Sequence, residues 1–315
     1  MTDVSIILVS WNAKTYLEEC LHSLRQASGS LSREVIVVDN GSTDGSPEMI
    51  SERFPEVILI QNGTNLGFAR ANNIGIRVAT GKYICLVNSD VNVPPACLPA
   101  MYRYMEQNPE IGLLGPRMLG ADGSLRRSTM RFPTIWHCFL RATALDTLFA
   151  GSGMFGGYLM FDFRCDRISD VDVLNGWFWI ARRKALETVG RLDERFFMYG
   201  EDIDWCRSFH NEGWRVVYFP EAEAVHYGGA SSANAPARFY VEMQRANLLY
   251  WKKYHGPISV FVYWLMVWLN GATRAVGYGL VYLLIASARA HARFEIGRNL
   301  ASLRWLMGIS PVIEA

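Results

Sequence analysis

The stretch covering residues 81–91 constrains the fold of this chain more than any other part of its sequence. Residues 83–87 form a continuous apolar run, the pattern of a parallel strand that is buried on both faces of a sheet. The run ends in Asn88-Ser89-Asp90, and Pro94-Pro95 prevents the strand from continuing. Ligands of open α/β sheets bind beyond the carboxyl ends of such strands, so Asp90 is a candidate ligand-binding residue. A single acidic residue after a strand is more often a turn former, and the rest of the chain has to decide between these interpretations.

Strand-like and helix-like patterns alternate along the chain. The predicted strands cover residues 4–10, 34–39, 57–61, 83–87, 174–181 and 214–219. The predicted helices cover residues 15–25, 46–53, 68–79, 183–189 and 201–212. This alternation predicts an α/β fold with a mostly parallel, Rossmann-like sheet that is flanked by helices.

Composition excludes several classes of protein. Lys+Arg 31 against Asp+Glu 30 gives a net charge of +1, which offers no support for a nucleic-acid partner. The six cysteines are scattered without a CxxC pair, as is typical of reduced thiols rather than of a disulfide framework or a zinc site. No targeting segment precedes the first strand pattern, so we expect the catalytic part to face the cytoplasm.

A second group of polar residues follows the strand predicted at 34–39. Asp39 ends that strand, and Asn40-Gly41-Ser42 is a turn sequence. Residues 62–73 combine small residues and side-chain amides with Arg70 where a helix begins, which suits a phosphate or a ribose. The sequence contains neither GxGxxG after its first strand nor GxxxxGK[ST], which disfavours a dinucleotide fold and a P-loop NTPase.

Acidic residues open the helix predicted at 201–212. Glu201, Asp202 and Asp204 often would only cap such a helix, but their aromatic neighbours indicate a carboxylate with restricted solvation. His226 follows the strand predicted at 214–219. A single histidine is more often structural, but paired with Asp90 at the sheet edge it would be a metal ligand.

The segment covering residues 117–173 is less regular. Three arginines, Arg126, Arg127 and Arg131, alternate there with aromatic residues. The segment is either a solvent-exposed surface loop or a lid on the acceptor side whose arginines contact a phosphate.

Five short motifs follow one another over residues 3–230. They are Val9-Ser10-Trp11-Asn12, Val38-Asp39-Asn40-Gly41-Ser42-Thr43-Asp44-Gly45-Ser46, Asn65-Leu66-Gly67-Phe68-Ala69-Arg70-Ala71-Asn72-Asn73, Asn88-Ser89-Asp90-Val91 and Phe197-Met198-Tyr199-Gly200-Glu201-Asp202-Ile203-Asp204. Together they resemble the family 2 glycosyltransferases of the GT-A fold, especially the bacterial rhamnosyltransferase-like members. The resemblance implies an inverting hexosyltransferase that uses a nucleotide-diphosphate sugar, with dTDP-rhamnose as the expected donor and Mg²⁺ or Mn²⁺ as the cofactor.

The resemblance also implies roles for individual residues. The donor-binding residues would be Ser10, Asn12, Asp39, Gly67, Arg70, Asn72 and Asn88. Asp202 matches the general base with Glu201 beside it, while Asp90 and His226 match a metal or diphosphate site. This assignment agrees with the chemistry, because inversion needs a base on the face of the sugar opposite the departing diphosphate.

The sequence departs from the family pattern at two positions. Ser89 stands where many relatives have proline, and Trp177 stands where a small residue is usual after Asn175-Gly176. Trp177 is therefore expected to narrow the acceptor pocket. The predicted acceptor residues are Trp177 and the three arginines Arg126, Arg127 and Arg131, which would contact the diphosphate of a lipid-linked acceptor.

The composition becomes more apolar after about residue 237. Apolar runs at 258–269 and 275–288 are separated by Asn270-Gly271-Ala272-Thr273-Arg274, and neither reaches the roughly 18–20 residues of a spanning helix. We expect two interfacial or re-entrant helices. The basic residues expected at lipid headgroups are Lys252, Lys253, Arg289, Arg293 and Arg298. A dimerisation or core-packing helix pair is the alternative.

The predicted organisation is a catalytic domain over residues 1–235 and a helical, membrane-associating region over residues 236–315. Within the catalytic domain, residues 1–115 would form the donor half and residues 116–235 the acceptor half. The expected partners are a nucleotide-diphosphate sugar, a polyprenyl-diphosphate-linked glycan and the cytoplasmic face of the plasma membrane, with homo-oligomerisation left open. The alternatives are a metal-dependent nucleotidyltransferase and a nucleotide-sugar-binding protein without turnover.

Overall fold

The computed structural model describes residues 2–27, 29, 31–149, 151–160, 163–228 and 236–308. The chain divides into two compact units. Unit 1 comprises Met1–Arg131 and Arg164–Ser231, and unit 2 comprises Phe132–Phe163 and Ser232–Ala315. The segment Phe132–Phe163 is thus grouped with the C-terminal helices, whereas the division into donor and acceptor halves stays a prediction.

The secondary structure of the described residues follows the chain in this order. The strands are β1 (Val4–Ser10), β2 (Arg33–Asp39), β3 (Ile58–Gln61), β4 (Tyr83–Asn88), β5 (Val91–Asn92), β6 (Ile111–Leu119), β7 (Leu125–Arg126), β8 (Thr129–Met130), β9 (Ser169–Asp170), β10 (Val173–Leu174), β11 (Phe178–Arg182) and β12 (Arg215–His226). The helices are α1 (Lys14–Gln26), α2 (Ser46–Arg53), α3 (Phe68–Val78), α4 (Cys97–Gln107), α5 (Ile135–Ala142), α6 (Leu145–Leu148), α7 (Arg183–Val189), α8 (Glu201–Asn211), α9 (Pro236–Tyr254), α10 (Pro257–Leu284) and α11 (Arg289–Leu306).

The main sheet lies in unit 1 and has the strand order β3-β2-β1-β4-β11-β6-β12-β5. The pairs β3/β2, β2/β1, β1/β4 and β6/β12 are parallel, whereas β11 runs antiparallel to both β4 and β6. The predicted α/β class with a mostly parallel sheet is confirmed. Strand β4 lies in the middle of the order and buries Tyr83, Ile84 and Cys85 completely, as its continuous apolar run predicts.

The parallel pairing brings the carboxyl ends of β1, β2 and β4 to one edge of the sheet. Ser10 is the register partner of Asp39, and Val9 is the partner of Asn88. After the turn at residues 89–90 the chain forms β5, whose residue Val91 pairs with His226 at the end of β12. The sequence carried no prediction for this two-residue strand, which ends before Pro94-Pro95.

Two strands predicted in unit 1 differ from the structure. The strand predicted at 174–181 is two strands, β10 and β11, separated by residues 175–177. Strand β12 is twice as long as predicted, because its pairing with β6 continues beyond an irregularity between Phe219 and Glu223 where Pro220 lies. Helix α4 and strand β6 carry no prediction from the sequence.

Helix α10 in unit 2 corrects the prediction of two shorter helices. The polar residues expected to interrupt it are accommodated within the helix, since Arg274 Nε donates to Asn270 Oδ1 at 2.9 Å. Gly271 is buried against α11, and a Cβ at this position would lie 3.0 Å from Leu303 Cδ2. The expected interruption is thus a point of close helix packing. Among the described residues, none of the helices combines the length and apolar character needed to cross a membrane.

Candidate active site

Polar atoms without partners lie at the carboxyl ends of three neighbouring parallel strands. Within the described residues, Ser10 Oγ, Asp39 Oδ1 and Asn88 Oδ1 are buried and have no hydrogen-bond partner. More than about 90% of buried polar groups in folded proteins are paired. Three exceptions at one sheet edge are typical of a binding site that a polar ligand completes.

The loop after β2 fixes the orientation of Asp39. Its Oδ2 accepts hydrogen bonds from the N–H groups of Gly41 at 3.1 Å and Ser42 at 3.0 Å. Asn12 supports the same loop, because its N–H donates to Ser42 Oγ at 2.9 Å and its Oδ1 accepts from the Thr43 N–H at 2.8 Å. Asn12 therefore holds the loop, and its side-chain oxygen is already engaged.

The segment before α3 packs against the loop before α8. Gly67 has a φ of +84°, and a Cβ there would lie 2.4 Å from the carbonyl oxygen of Phe197. The N–H of Phe68 donates to the same carbonyl at 2.6 Å. Only glycine fits this position, and the contact joins two motifs that are 130 residues apart in the sequence.

The polar residues of α3 differ in what they contact. Asn72 donates to the Phe68 carbonyl at 3.0 Å, within its own helix, and Arg70 lies on the surface 3.8 Å from Glu194. Asn73, which is absent from the predicted site, is buried and donates to the carbonyl of Leu192 at 2.8 Å. Asn73 thus anchors the segment that leads towards α8, and its burial on a helix is visible only in the structure.

Asp90 and His226 meet at the edge formed by β5 and β12. His226 Nε2 lies 3.1 Å from Asp90 Oδ1, and both residues are buried. The N–H of Tyr227 donates to the backbone carbonyl of Asp90 at 3.0 Å. The structure therefore brings together the two residues that were predicted as metal ligands. The residues that follow Gly228, 229–235, lie outside the described part of the chain.

This pair fits a divalent cation only together with other ligands. Across the described residues, no group of three or more His, Cys, Asp and Glu side chains could hold a metal ion. Mg²⁺ is commonly bound by one or two carboxylates plus substrate phosphates and water. A carboxylate beside an imidazole is thus a suitable donor set for a cation whose coordination is completed by a diphosphate.

Trp177 lies beside His226. The two rings are 4.7 Å apart between centroids and 33° apart in orientation, and the Trp177 carbonyl accepts from the Asn88 N–H at 3.0 Å. Trp177 was predicted to shape the acceptor pocket. The structure places its ring at the Asp90–His226 pair, where it covers one face of the imidazole.

Asp202 lies in the first turn of α8, between the buried residues Glu201 and Ile203. Its Oδ1 accepts from the Ile203 N–H at 2.8 Å. Burial raises the pKa of the Asp202 carboxyl, while hydrogen bonds from the backbone N–H groups of Ile203 and Gly176 act in the opposite direction. A carboxylate with a raised pKa is a stronger base, as a proton acceptor requires.

The segment of residues 175–177 connects the two acidic sites. A Cβ on Gly176 would lie 3.8 Å from the Cβ of Asp202, and the next residue, Trp177, contacts His226. Asp202 and the Asp90–His226 pair therefore border the same short segment at one end of the sheet.

Two further polar residues beside this segment were missed by the sequence analysis. Ser128 Oγ and Asn175 Oδ1 are buried without a hydrogen-bond partner in the described residues, and the Ser128 carbonyl accepts from the Asn175 N–H at 2.8 Å. Asn175 Nδ2 also donates to the carbonyl of Arg127 at 3.4 Å. Of the predicted acceptor arginines, Arg126 is exposed on β7, and Arg127 and Arg131 are half-buried.

Comparisons of sequence point to one family. The model of glycosyl transferase family 2 matches residues 5–168. The N-acetylglucosaminyl-diphospho-decaprenol L-rhamnosyltransferase of Mycobacterium tuberculosis is 31% identical over 253 residues, which cover 75% of this chain and 80% of that protein. The low-salt glycan biosynthesis hexosyltransferase Agl10 of Haloferax volcanii is 24% identical over 72% of this chain and 67% of its own length.

Solved structures show the same fold. The mannosyltransferase PcManGT from Pyrobaculum calidifontis, in complex with GDP-Man and Mn²⁺, has a TM-score of 0.54 and 16% identity, covering 97% of this chain and 86% of that chain. Residues 1–349 of S. aureus TarS have a TM-score of 0.51 and 14% identity, covering 98% and 92%. At such identities the likeness concerns the fold alone, and it agrees with the predicted GT-A class.

Proposed function

The chain belongs to glycosyl transferase family 2 and is a glycosyltransferase, and from this premise we propose that it transfers rhamnose from dTDP-rhamnose, with inversion, to a hydroxyl of a polyprenyl-diphosphate-linked glycan. The mycobacterial relative supports both the sugar and the acceptor class, because its name specifies an L-rhamnosyl group and a diphospho-decaprenol acceptor. The product would belong to cell-envelope polysaccharide biosynthesis.

One observation carries the assignment of residues. The candidate base Asp202 and the candidate cation pair Asp90–His226 contact adjacent residues of a single segment, Gly176 and Trp177. An inverting transfer needs a base and a stabilised leaving group on opposite sides of one sugar ring. Two chemically different carboxylates that border the same segment suit this requirement.

The ends of β1, β2 and β4 would bind the nucleoside diphosphate. Asp39 Oδ1, Ser10 Oγ and Asn88 Oδ1 have free hydrogen-bonding capacity towards the hydroxyl and N–H groups of a ribose or a base. A bound nucleotide would form hydrogen bonds with these buried atoms. A ligand without matching polar groups would leave the atoms unpaired and would therefore bind more weakly.

Asp90 and His226 would hold a divalent cation, with Trp177 covering the imidazole. When bound, such a cation stabilises the negative charge that develops on the departing diphosphate. The Mn²⁺ bound by the mannosyltransferase of the same fold supports this choice of ion class.

Asp202 would take the proton from the acceptor hydroxyl as that oxygen bonds to the anomeric carbon and the bond to the diphosphate breaks. Its raised pKa favours proton uptake, and Glu201 lies beside it in the same helical turn. Ser128 and Asn175 would face the acceptor together with Arg126, Arg127 and Arg131, because Asn175 precedes Gly176 and is hydrogen-bonded to the backbone carbonyls of Arg127 and Ser128.

Unit 2 would attach the enzyme peripherally to the cytoplasmic face of the plasma membrane, where lipid-linked acceptors reside. Helix α10 exposes apolar side chains along its length, including Ile258, Phe261 and Leu283. Such a surface suits an interfacial helix.

The test is a transfer assay with the purified full chain, dTDP-rhamnose, Mn²⁺ or Mg²⁺, and a short polyprenyl-diphosphate-linked N-acetylglucosamine, with products analysed by mass spectrometry. We expect a product heavier by one deoxyhexose, with the stereochemistry of the anomeric centre inverted. Transfer from another nucleotide sugar, with none from dTDP-rhamnose, would contradict the donor assignment. Release of pyrophosphate from a nucleoside triphosphate would instead favour a nucleotidyltransferase.

A further inference from the structure

Exposed apolar residues are concentrated in unit 2. Among the described residues, four large hydrophobic side chains that are exposed lie in unit 1, and the other eighteen lie in unit 2. Exposed apolar residues scattered singly are ordinary, but a large group on one part of a protein marks a surface for another molecule or a membrane.

The internal segment Phe132–Phe163 contributes much of this surface. Its most exposed apolar side chains are Leu148 at 71%, Met154 at 66% and Phe149 at 52%. Trp136 is 45% exposed and its indole donates to the Met154 carbonyl at 3.2 Å, and the rings of Trp136 and Phe149 both lie beside the ring of Phe155. From its sequence this segment was expected in the acceptor half, without a contact to lipid.

The second part of the surface is a stripe along α10. Ile258, Phe261, Leu265 and Trp268 recur at intervals of three and four residues, which places them on one face of the helix, and all four are exposed. Helix α5 packs against α10, where Thr273 Oγ1 lies 3.4 Å from the Ala142 carbonyl. The segment and the stripe therefore belong to the same packed unit.

Charge is distributed unevenly between the two units. The sequence of unit 2 contains ten Lys and Arg against five Asp and Glu, a formal charge of +5, which leaves −4 for unit 1. Two of the acidic residues, Glu242 and Glu295, are buried. The net charge of the whole chain, +1, conceals this difference.

Exposed basic residues lie at both ends of α10. Lys252 and Lys253 precede it, and Arg289 and Arg293 follow it. Arg298, also predicted at the headgroups, is instead half-buried and ion-paired with Glu295 at 2.6 Å.

We propose that the segment Phe132–Phe163 and the exposed stripe of α10 together insert into the surface of an anionic lipid bilayer, with the basic residues at the ends of α10 contacting its headgroups. The proposal rests on the membrane attachment proposed above and adds the internal segment as a second lipid-contacting element. Two copies of a unit with a charge of +5 would repel each other across such a face, whereas an anionic membrane attracts it. The apolar side chains supply binding that is independent of salt, and the basic residues supply binding that salt weakens.

The test is co-sedimentation of the full chain with vesicles of phosphatidylcholine alone or with 30% phosphatidylglycerol. Three double variants are compared with the wild type: Leu148→Glu/Phe149→Glu in the segment, Ile258→Glu/Phe261→Glu in α10, and Ile58→Glu/Val78→Glu as a control. The control residues are exposed apolar residues of unit 1, at 44% and 46%. All six positions are exposed, so circular dichroism and melting should show folded proteins.

We expect the segment and α10 variants each to lower partitioning into anionic vesicles by about tenfold or more, because two apolar side chains lose hydrocarbon contact and two carboxylates face anionic headgroups. The control should stay within about twofold of the wild type, and raising the salt concentration should weaken wild-type binding.

Wild-type-like binding of the segment variant, with loss in the α10 variant, would overturn the role of the segment while leaving the proposed membrane attachment intact. No vesicle binding by the wild type would overturn both. A lipid-free wild-type dimer that the segment variant converts to a monomer would identify a second copy as the occupant and overturn the proposal. Melting with dTDP reports the donor site independently of these outcomes.

Discussion

Replacing Asp202 with asparagine should separate catalysis from folding and donor binding. The carboxylate is the proposed proton acceptor, and asparagine keeps its size but does not act as a base. General-base assistance typically contributes about 10²–10⁴ in rate, so we expect the transfer rate to fall by that factor, which corresponds to about 3–5 kcal/mol of transition-state stabilisation. Nucleotide affinity should stay within about threefold of the wild type, because the donor is bound at the ends of β1, β2 and β4.

The same substitution should not destabilise the protein at neutral pH. Burial raises the pKa of Asp202, so the folded state binds this proton more tightly than the unfolded state does. Stability then falls as the pH rises from the unfolded pKa to the folded pKa, and the wild type carries this penalty at neutral pH. Asparagine does not titrate, so the melting temperature of Asp202→Asn relative to the wild type should increase as the pH rises through this window.

The measurements are steady-state transfer kinetics, calorimetric titration with dTDP, and melting from pH 4 to pH 8. Asp204→Asn is the matched control, since Asp204 is a buried aspartate of the same helical turn. The control should lose stability and retain more activity than Asp202→Asn does. A parallel loss of turnover, dTDP affinity and melting temperature in Asp202→Asn would refute the assignment of Asp202 as the base, and so would near-normal turnover.

Four further outcomes follow from the geometry of the site. The wild-type rate should fall as the pH falls through the raised pKa of Asp202, which a pH–rate profile for the transfer measures. Gly67→Ala should destabilise the protein by about 2 kcal/mol or more in urea unfolding, because its Cβ would overlap the Phe197 carbonyl at a φ of +84°. His226→Ala should raise the Mn²⁺ concentration needed for half-maximal stabilisation by dTDP at least about tenfold; an unchanged midpoint would exclude His226 as a ligand. Asp39→Ala should weaken dTDP binding by about tenfold or more in calorimetry, since Asp39 has one carboxylate oxygen available for the ligand. The Mn²⁺ concentration needed for half-maximal stabilisation by dTDP should stay as in the wild type.

The sequence predicted those elements whose local residue pattern matches their environment in the folded protein. Strand β4 has a continuous apolar run because both of its faces are covered, and helix α2 begins and ends at the predicted residues because Ser46-Pro47 is a strong start signal. The predicted strand ended before Pro220, whereas β12 continues beyond it. Its continuation depends on pairing with β6, which is distant in the sequence. The prediction divided helix α10 around Gly271. A glycine that allows another helix to pack closely cannot be distinguished by sequence alone from a glycine that ends a helix.

The candidate site likewise contains residues that local sequence identifies and contacts that depend on the pairing of distant strands. Asp39 and Asp90 could be identified from the sequence because each lies at the carboxyl end of a strand, Asp39 as the last residue of β2 and Asp90 two residues after β4. The contact between Asp90 and His226 could not, since it depends on the two-residue pairing of β5 with β12 across more than 130 residues of chain. Their pairing was expected because a carboxylate and an imidazole can both bind a metal ion, whereas the 3.1 Å separation is set by the fold.

The break between β10 and β11 is an error of the sequence prediction that falls at the candidate site. A continuous strand over residues 174–181 would point successive side chains to opposite faces of the sheet and pair its backbone throughout. In the structure the backbone leaves the strand at residues 175–177, so that Gly176 borders Asp202 while Trp177 turns its ring onto His226. The residues that follow the break, Phe178, Trp179 and Ile180, favour a strand, whereas Asn175-Gly176 is a turn sequence that the prediction of one continuous strand left out of account. The turn brings the proposed base and a proposed cation ligand next to two adjacent residues of one segment, because Gly176 borders Asp202 and Trp177 borders His226.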